Sequence, residues 1–302
     1  MKKINLFWHK LPKNRTNYGD ILGPFIIQKL TGEKINHINF LFKWYKIPVI
    51  YLIGLINKEY SLSDIGNVLR SMFAKKVIIS IGSVISKYRR NGTIVWGAGL
   101  INKSDHIANA DFRAVRGKET LEKIRESKYN LPTAIGDPAL LLPLIIQPAT
   151  KKYKIGIVPH FVQYNEILKK YINDKNILII NLEEDILSVT RDITSCEYIV
   201  SSSLHGLIVS HAYNIPALWV DFKCVNKLYG DDVKFSDYFS SVDIENYKPI
   251  LINSYDINII KKYFTNNRKT IINTNLKQIQ KNLLESAPFI VKEMYYKKLN
   301  TK

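Results

Sequence analysis

The run Ser201-Ser202-Ser203-Leu204-His205-Gly206 concentrates more chemistry than any other stretch of the chain. It follows the apolar segment Ile193 to Val200, which predicts a helix end leading into a short buried strand. Leu207 to Tyr213 comes next, and its apolar spacing predicts a helix. Hydroxyls, a histidine and a glycine therefore fall where a strand gives way to a helix. In an open α/β sheet, backbone N–H groups and hydroxyls converge at such a point on an anion. A histidine there can donate to phosphate or carboxylate, or move a proton near neutral pH. The competing role is structural, with serines as caps and the histidine satisfied by backbone.

Four other places carry candidate chemistry. Arg116 is expected at a strand end before Gly117-Lys118, where a guanidinium grips carboxylate or phosphate bidentately. Arg113, just upstream, is expected to share its strand face; the alternative to the anion clamp is a surface arginine pairing with Glu119 or Glu122. In the loop Asn17-Tyr18-Gly19-Asp20, Asp20 suits a base for a hydroxyl or an N-cap, with Asn17 and Gly19 shaping the turn. Asp137, followed by Pro138, reads foremost as a cap, with acceptor contact as its other role. His160 closes the strand that ends Val158-Pro159-His160, a place that is structural or functional. Trp8 and Trp96 have rings that stack on sugars, although core packing is the simpler role.

The elements that must position these residues alternate. Strands are expected at Ile4 to Trp8, Lys76 to Ile81, Thr93 to Trp96, Phe112 to Arg116 and Ala134-Ile135, and helices at Asp20 to Leu30 and Lys118 to Arg125. The polar segment Gln147 to Lys152 is expected as a junction. After it come strands at Tyr153 to Val158, Ile177 to Ile180, Ile199-Val200 and Ala217 to Val220, with helices at Glu166 to Tyr171, Ser188 to Ser195 and Leu207 to Tyr213. The fold class is α/β, with two Rossmann-like doubly wound domains facing across a cleft: 1–148, and 149–302 with a C-terminal helical region over Leu276 to Leu299 that Pro288 interrupts.

At 302 residues, 46% hydrophobic and a mean hydropathy of −0.10, the chain reads as globular. Its net charge of +18 raises nucleic acid binding, but the lysines are spread along the chain with no basic helix or zinc-finger spacing. No nucleic acid partner is expected. Cys196 and Cys224 form no metal or redox pattern, and Cys196 reads as a small core residue. Met1-Lys2-Lys3 and the short apolar run after it do not make a signal peptide, because His9-Lys10 breaks the run. The expected location is the cytoplasm, at the inner face of the cytoplasmic membrane. Phe40 to Ile56, with Lys43, Lys46 and Lys58, is read either as a peripheral membrane contact or as a buried strand and helix.

Asn17-Tyr18-Gly19-Asp20, Val95-Trp96-Gly97-Ala98-Gly99, Arg113 to Thr120, Ile135-Gly136-Asp137-Pro138 and the Ser-Leu-His-Gly segment appear in an order that resembles the polysaccharide pyruvyl transferase family. Gly156 to His160 and Lys234 to Phe239 are similar to its exopolysaccharide ketal-pyruvyl transferase branch. The resemblance implies a GT-B-like architecture and transfer of pyruvyl from phosphoenolpyruvate (PEP) onto two hydroxyls of a sugar, possible acceptors including a lipid-linked oligosaccharide. It implies donor contacts from Arg116 and His205; with them, Arg113, Ser202, Ser203 and Gly206 are expected on the donor and Asn17, Gly19, Asp20 and Asp137 on the acceptor. Catalysis is expected from His205, Asp20 and His160, with no cofactor and no metal. Where the family carries arginine, two residues before the histidine, this chain has Ser203; His160 is the expected compensation for that charge. Removing Arg116 or His205 is expected to abolish transfer with little change in thermal stability. The alternative function is a GT-B glycosyltransferase whose Gly82-Ser83 and Gly97-Ala98-Gly99 loops cradle a nucleotide-sugar diphosphate.

Overall fold

The structure, a computed structural model, describes residues 3–10, 15–171, 175–223, 229–252, 260, 262–265 and 267–300. Cys224 and Met1-Lys2 lie outside the described residues. In the first half, β1 (Lys3–Phe7), β2 (Lys34–His37), β3 (Val77–Ile79), β4 (Thr93–Trp96), β5 (Asp111–Val115) and β6 (Ala134–Ile135) form one sheet in the order β2-β1-β3-β4-β5-β6. Between them run α1 (Tyr18–Thr31), α2 (Ile47–Ile56), α3 (Ile65–Phe73) and α4 (Lys118–Glu126). In the second half, β7 (Tyr153–Val158), β8 (Ile177–Ile179), β9 (Cys196–Ser201), β10 (Ala217–Asp221) and β11 (Ile250–Leu251) form a sheet in the order β11-β10-β9-β7-β8. Its helices are α5 (Tyr164–Tyr171), α6 (Ile186–Thr194), α7 (Leu204–Ala212) and α8 (Val233–Ser241), and the chain ends in α9 (Leu276–Glu285) and α10 (Glu293–Asn300).

Every strand pair in both sheets is parallel. Parallel strands need crossovers that cover both faces, which is why β3, β4 and the end of β7 are continuously buried and, but for Thr93, carry no polar side chain. In each sheet the chain reverses direction once. The reversal falls between β1 and β3 in the first sheet and between β7 and β9 in the second. At such a reversal the two neighbouring crossovers leave in opposite directions, so a crevice opens at the strands' carboxyl ends. The segments Asn17 to Asp20, His160 and Ser201 to His205 all follow strands that flank these two crevices.

One apolar cluster runs through both halves, from Leu6 and Trp96 to Val158, Leu207 and Leu283. The last two helices lie against the first sheet's surroundings. Trp96 Nε1 donates to the Leu283 carbonyl at 3.0 Å, Gln280 Nε2 to the Leu140 carbonyl at 2.7 Å, and the Lys292 amide to the Leu30 carbonyl at 2.9 Å. The helical region expected over Leu276 to Leu299 is broken around Pro288, as the missing proline N–H requires. The run Ile47 to Ile56, within the segment read from sequence as a membrane contact or a buried strand and helix, is the helix α2. Trp96 is wholly buried and belongs to the core.

Candidate active site

At the second crevice the serines build a turn. Ser201 Oγ donates to the Val158 carbonyl at 2.8 Å and accepts from the Ser203 amide at 3.0 Å. Ser202 Oγ donates to Gln163 Oε1 at 2.7 Å and accepts from the His160 amide at 2.9 Å, which ties the ends of β7 and β9 together. Ser203 is the N-cap of α7 with an extended backbone, and its side chain makes no capping bond. Gly206 is required here, because a Cβ would fall 2.3 Å from Ser201 Oγ. Ser201 and Ser202 are thus committed to the turn.

His205, in the first turn of α7, reaches across to the first sheet's crevice. Its ring rests on Gly19, where a Cβ would fall 2.2 Å from Nδ1, and its side chain is 13% exposed. Its Nε2 lies 3.8 Å from Asp137 Oδ2, and among the described residues neither atom has a hydrogen-bond partner. That gap is too long for a hydrogen bond but within reach of a small ring rotation. Asp137 is fully buried and its other oxygen accepts from the Ala139 amide at 2.9 Å. It therefore caps the turn, as its sequence context implies, and also faces the histidine. Gly19→Ala should push His205 off its seat; we expect turnover to fall on the order of a hundredfold, with far-UV circular dichroism unchanged. Near wild-type turnover would show that the contact does not position the ring.

Asp20 completes the group from the first half. Asn17 is the N-cap of α1, so Asp20 occupies the first turn rather than the cap, and Asn17 Nδ2 donates to Asp20 Oδ2 at 2.9 Å. Burial pushes the Asp20 carboxyl above the ordinary aspartate range, while the Asn17 bond and then His9, His205 and Lys87 pull it back. A carboxylate desolvated beside a histidine is a better proton acceptor than an ordinary aspartate.

His160 and Lys234 lie beyond the serine turn. Burial and the nearby Lys234 charge hold the His160 ring down to about 4, so it is neutral at pH 7 and supplies no positive charge. Lys234, in the first turn of α8, is buried; burial first and then Arg116 press its ammonium below the usual lysine value, with Asp232 opposing. Its Nζ donates to the Tyr229 carbonyl at 3.5 Å. Sequence reasoning missed Lys234, although a lysine opening the aromatic run Phe235 to Phe239 was a visible signal.

His37 and His211, like His160, are held down to about 4, chiefly by burial. Their folded values lie below the unfolded 6.5, so the unfolded chain binds more protons between those limits and stability falls as pH drops through that window. From pH 7 to 5 each histidine costs at most about 2 kcal/mol, partly offset by Asp20, whose raised carboxyl acts in the opposite sense. Urea unfolding at the two pH values should show the loss; equal stability would contradict it.

Arg116 stands at the end of β5, as expected, with its guanidinium turned inward. Arg116 is 0% exposed, with Nε 3.0 Å from Asp237 Oδ2, Nη1 donating to Ser83 Oγ and Nη2 to the Leu100 carbonyl, both at 2.6 Å. Asp237 in turn accepts from the Thr120 amide and hydroxyl at 2.8 and 2.7 Å. Arg116 thus fastens β5 and α4 to α8. The expected shared face of Arg113 and Arg116 is corrected: three residues apart on an alternating strand, they point oppositely, and Arg113 pairs at the surface with Asp111. The glycine loops are turned inward as well, with Gly97 to Gly99 buried and the Gly99 amide donating to the Gly82 carbonyl at 3.1 Å. Trp8 is partly buried, its ring centroid 4.0 Å from that of His37.

A histidine from the second half faces Asp137 and the Asp20 loop of the first, with a buried lysine beyond the serine turn, on an α/β fold of two parallel sheets. A family model of polysaccharide pyruvyl transferases matches residues 17–223. The chain is also 32% identical over 211 residues to an uncharacterized protein of Acanthamoeba polyphaga mimivirus, across 66% of this chain and 73% of that one. The chain belongs to the polysaccharide pyruvyl transferase family and is an enzyme of that type. The matched span carries Asn17, Asp20, Arg116, Asp137, His160 and His205, and stops short of Lys234 and Asp237.

Proposed function

We propose that the enzyme takes the pyruvyl group from PEP and sets it on two hydroxyls of one sugar of a surface exopolysaccharide, or of its lipid-linked precursor, as a cyclic ketal. The observation that carries this reading is the approach of His205 to Gly19 and Asp137, which brings an imidazole from the second half against a carboxylate of the first. Protonation of PEP at C3 turns its methylene into a methyl group and leaves a cation at C2. One sugar hydroxyl adds there; the C2–O bond to phosphate breaks; the second hydroxyl closes the ring. Of the two hydroxyl protons, one balances that taken up by the methyl group and the other leaves with phosphate.

In this scheme His205 is the proton carrier, with Asp137 Oδ2 holding its Nε2 when it turns, and Asp20 takes a hydroxyl proton, steadied by Asn17. The α7 N-terminus with Ser202, Ser203 and Gly206, and Lys234 in place of the absent arginine charge, balance the phosphate and carboxylate of PEP. Arg116 acts through Asp237, which carries α8 and hence Lys234. His160, neutral, keeps the turn in shape through its amide and lends a ring nitrogen. The residues 1–148 form the acceptor side and 149–302 the donor side of a GT-B-like pair.

The test is product analysis with PEP or a nucleotide sugar and a panel of hexopyranosides. Inorganic phosphate from PEP, with the acceptor gaining one pyruvate less one water, is the expected result; nucleotide release with sugar transfer would overturn it. Because the balancing cations are side chains and a helix terminus, activity should survive EDTA within about twofold. Complete loss on chelation, restored by Mg²⁺ or Mn²⁺, would contradict this assignment of charge.

A further inference from the structure

Ten of the eighteen exposed large apolar side chains among the described residues lie between positions 44 and 73. They are not scattered. In α2, Val49, Leu52, Ile53 and Ile56 recur at helical spacing on the outward face, with Ile56 80% exposed. In α3, Ile65, Leu69 and Phe73 form a second outward stripe, with Phe73 76% exposed. The opposite faces are already used: Ile47, Tyr51 and Val68 pack with Phe40 into a separate small core. Both helices therefore have a second apolar face that nothing among the described residues covers, and contiguous exposure of this kind marks a docking surface.

The charge around the stripes selects the occupant. Lys43, Lys46, Lys58 and Arg70 are exposed beside them, against the carboxylates Glu59 and Asp64, the latter engaged by the Ser61 amide at 2.9 Å. Trp44, 65% exposed, and Tyr45 stand between two of the lysines at the entrance to α2. Next to them opens a groove of about 540 Å³ walled by Lys43, Lys46, Arg89 and Arg90. Apolar stripes rimmed by lysines, with an indole and a phenol between them, match the layering of an anionic bilayer: acyl chains, interface, phosphate. A second copy of the chain fits less well, because a two-fold contact on this face would oppose the same cations to one another. No helix among the described residues is long and apolar enough to cross a membrane, so the helices would lie in the interface.

We propose that α2, α3 and the Trp44-Tyr45 turn dock the enzyme on an anionic lipid surface, with the Lys43–Arg89 groove receiving a headgroup phosphate. The proposal is independent of the reaction assigned above, and its readout is binding rather than turnover. Sedimentation of the full chain with phosphatidylcholine vesicles, with and without phosphatidylglycerol, tests it. The expected result is partitioning to the anionic vesicles alone, weakening with salt, and a blue-shifted tryptophan emission that Trp44→Ala removes. Leu52→Glu/Ile53→Glu should abolish binding. Lys43→Gln/Lys46→Gln should weaken it on the order of tenfold, and these exposed side chains keep the test decisive where the apolar pair lowers expression. Four results would overturn the proposal: wild type left in the supernatant at low salt, equal binding to neutral vesicles, binding unchanged in the lysine pair, or a concentration-dependent dimer that Leu52→Glu dissociates.

Discussion

Replacing His205 by alanine should lower pyruvyl transfer by roughly 10²- to 10⁴-fold, the range that a positioned proton carrier contributes, while the thermal midpoint stays nearly unchanged. The ring is partly exposed, rests on a glycine backbone, and its Nε2 bonds no described residue, so removing it breaks no internal bond at that atom. Asp137→Asn should cost less, because the amide still caps Ala139 but no longer holds an imidazolium. A His205→Ala enzyme with wild-type turnover would remove the residue from the chemistry. A large drop in thermal midpoint would recast it as a packing residue.

Arg116→Ala should behave in the opposite manner. The guanidinium is wholly buried and its partner Asp237, 121 positions away in the chain, is wholly buried too. Deleting one member of such a pair leaves an uncompensated charge, at a cost of about 3–5 kcal/mol. For a chain of this size that lowers the thermal midpoint by on the order of 10 °C. The sequence expectation that this substitution spares stability is therefore reversed. Arg116→Ala together with Asp237→Ala should recover part of the loss, since neither charge is then stranded. If Arg116→Ala melts with the wild type and only turnover suffers, the arginine meets the donor directly and the positioning role is wrong.

The contrast between these two residues shows what one-dimensional reading reaches. The strands Thr93 to Trp96 and Tyr153 to Val158 have the bounds their β-branched, apolar composition predicts, because parallel strands covered on both faces are written locally. The edge strand Lys34–His37, half polar, gave no such signal. In Ile47 to Ile56 apolar residues occupy every position around the helix but Gly54 and Pro48, so periodicity could not tell helix from strand, nor inner face from outer. The serine-histidine segment stood out because its residue types and its place after a strand are local facts. The burial of Arg116 depends on Asp237, the neutrality of His160 on its surroundings and Lys234, and the seat of His205 on Gly19. Each is a meeting of distant segments, and only the folded chain brings them together. Lys234 was passed over for the same reason: a lysine beside aromatics reads as a surface charge until its neighbours prove to be Arg116 and His160.

The central claim is that the carbons of PEP, rather than a sugar, leave this site on the acceptor, with His205 carrying the proton. It is tested most directly by supplying PEP labelled with ¹³C at all three carbons, in D₂O, with the hexopyranoside panel, and reading the product by NMR. The account predicts a labelled ketal carbon bonded to two sugar oxygens and a labelled methyl group bearing deuterium, both absent with His205→Ala. A panel in which no acceptor takes up label while a nucleotide sugar is consumed, or a labelled ketal formed equally well without His205, would contradict it.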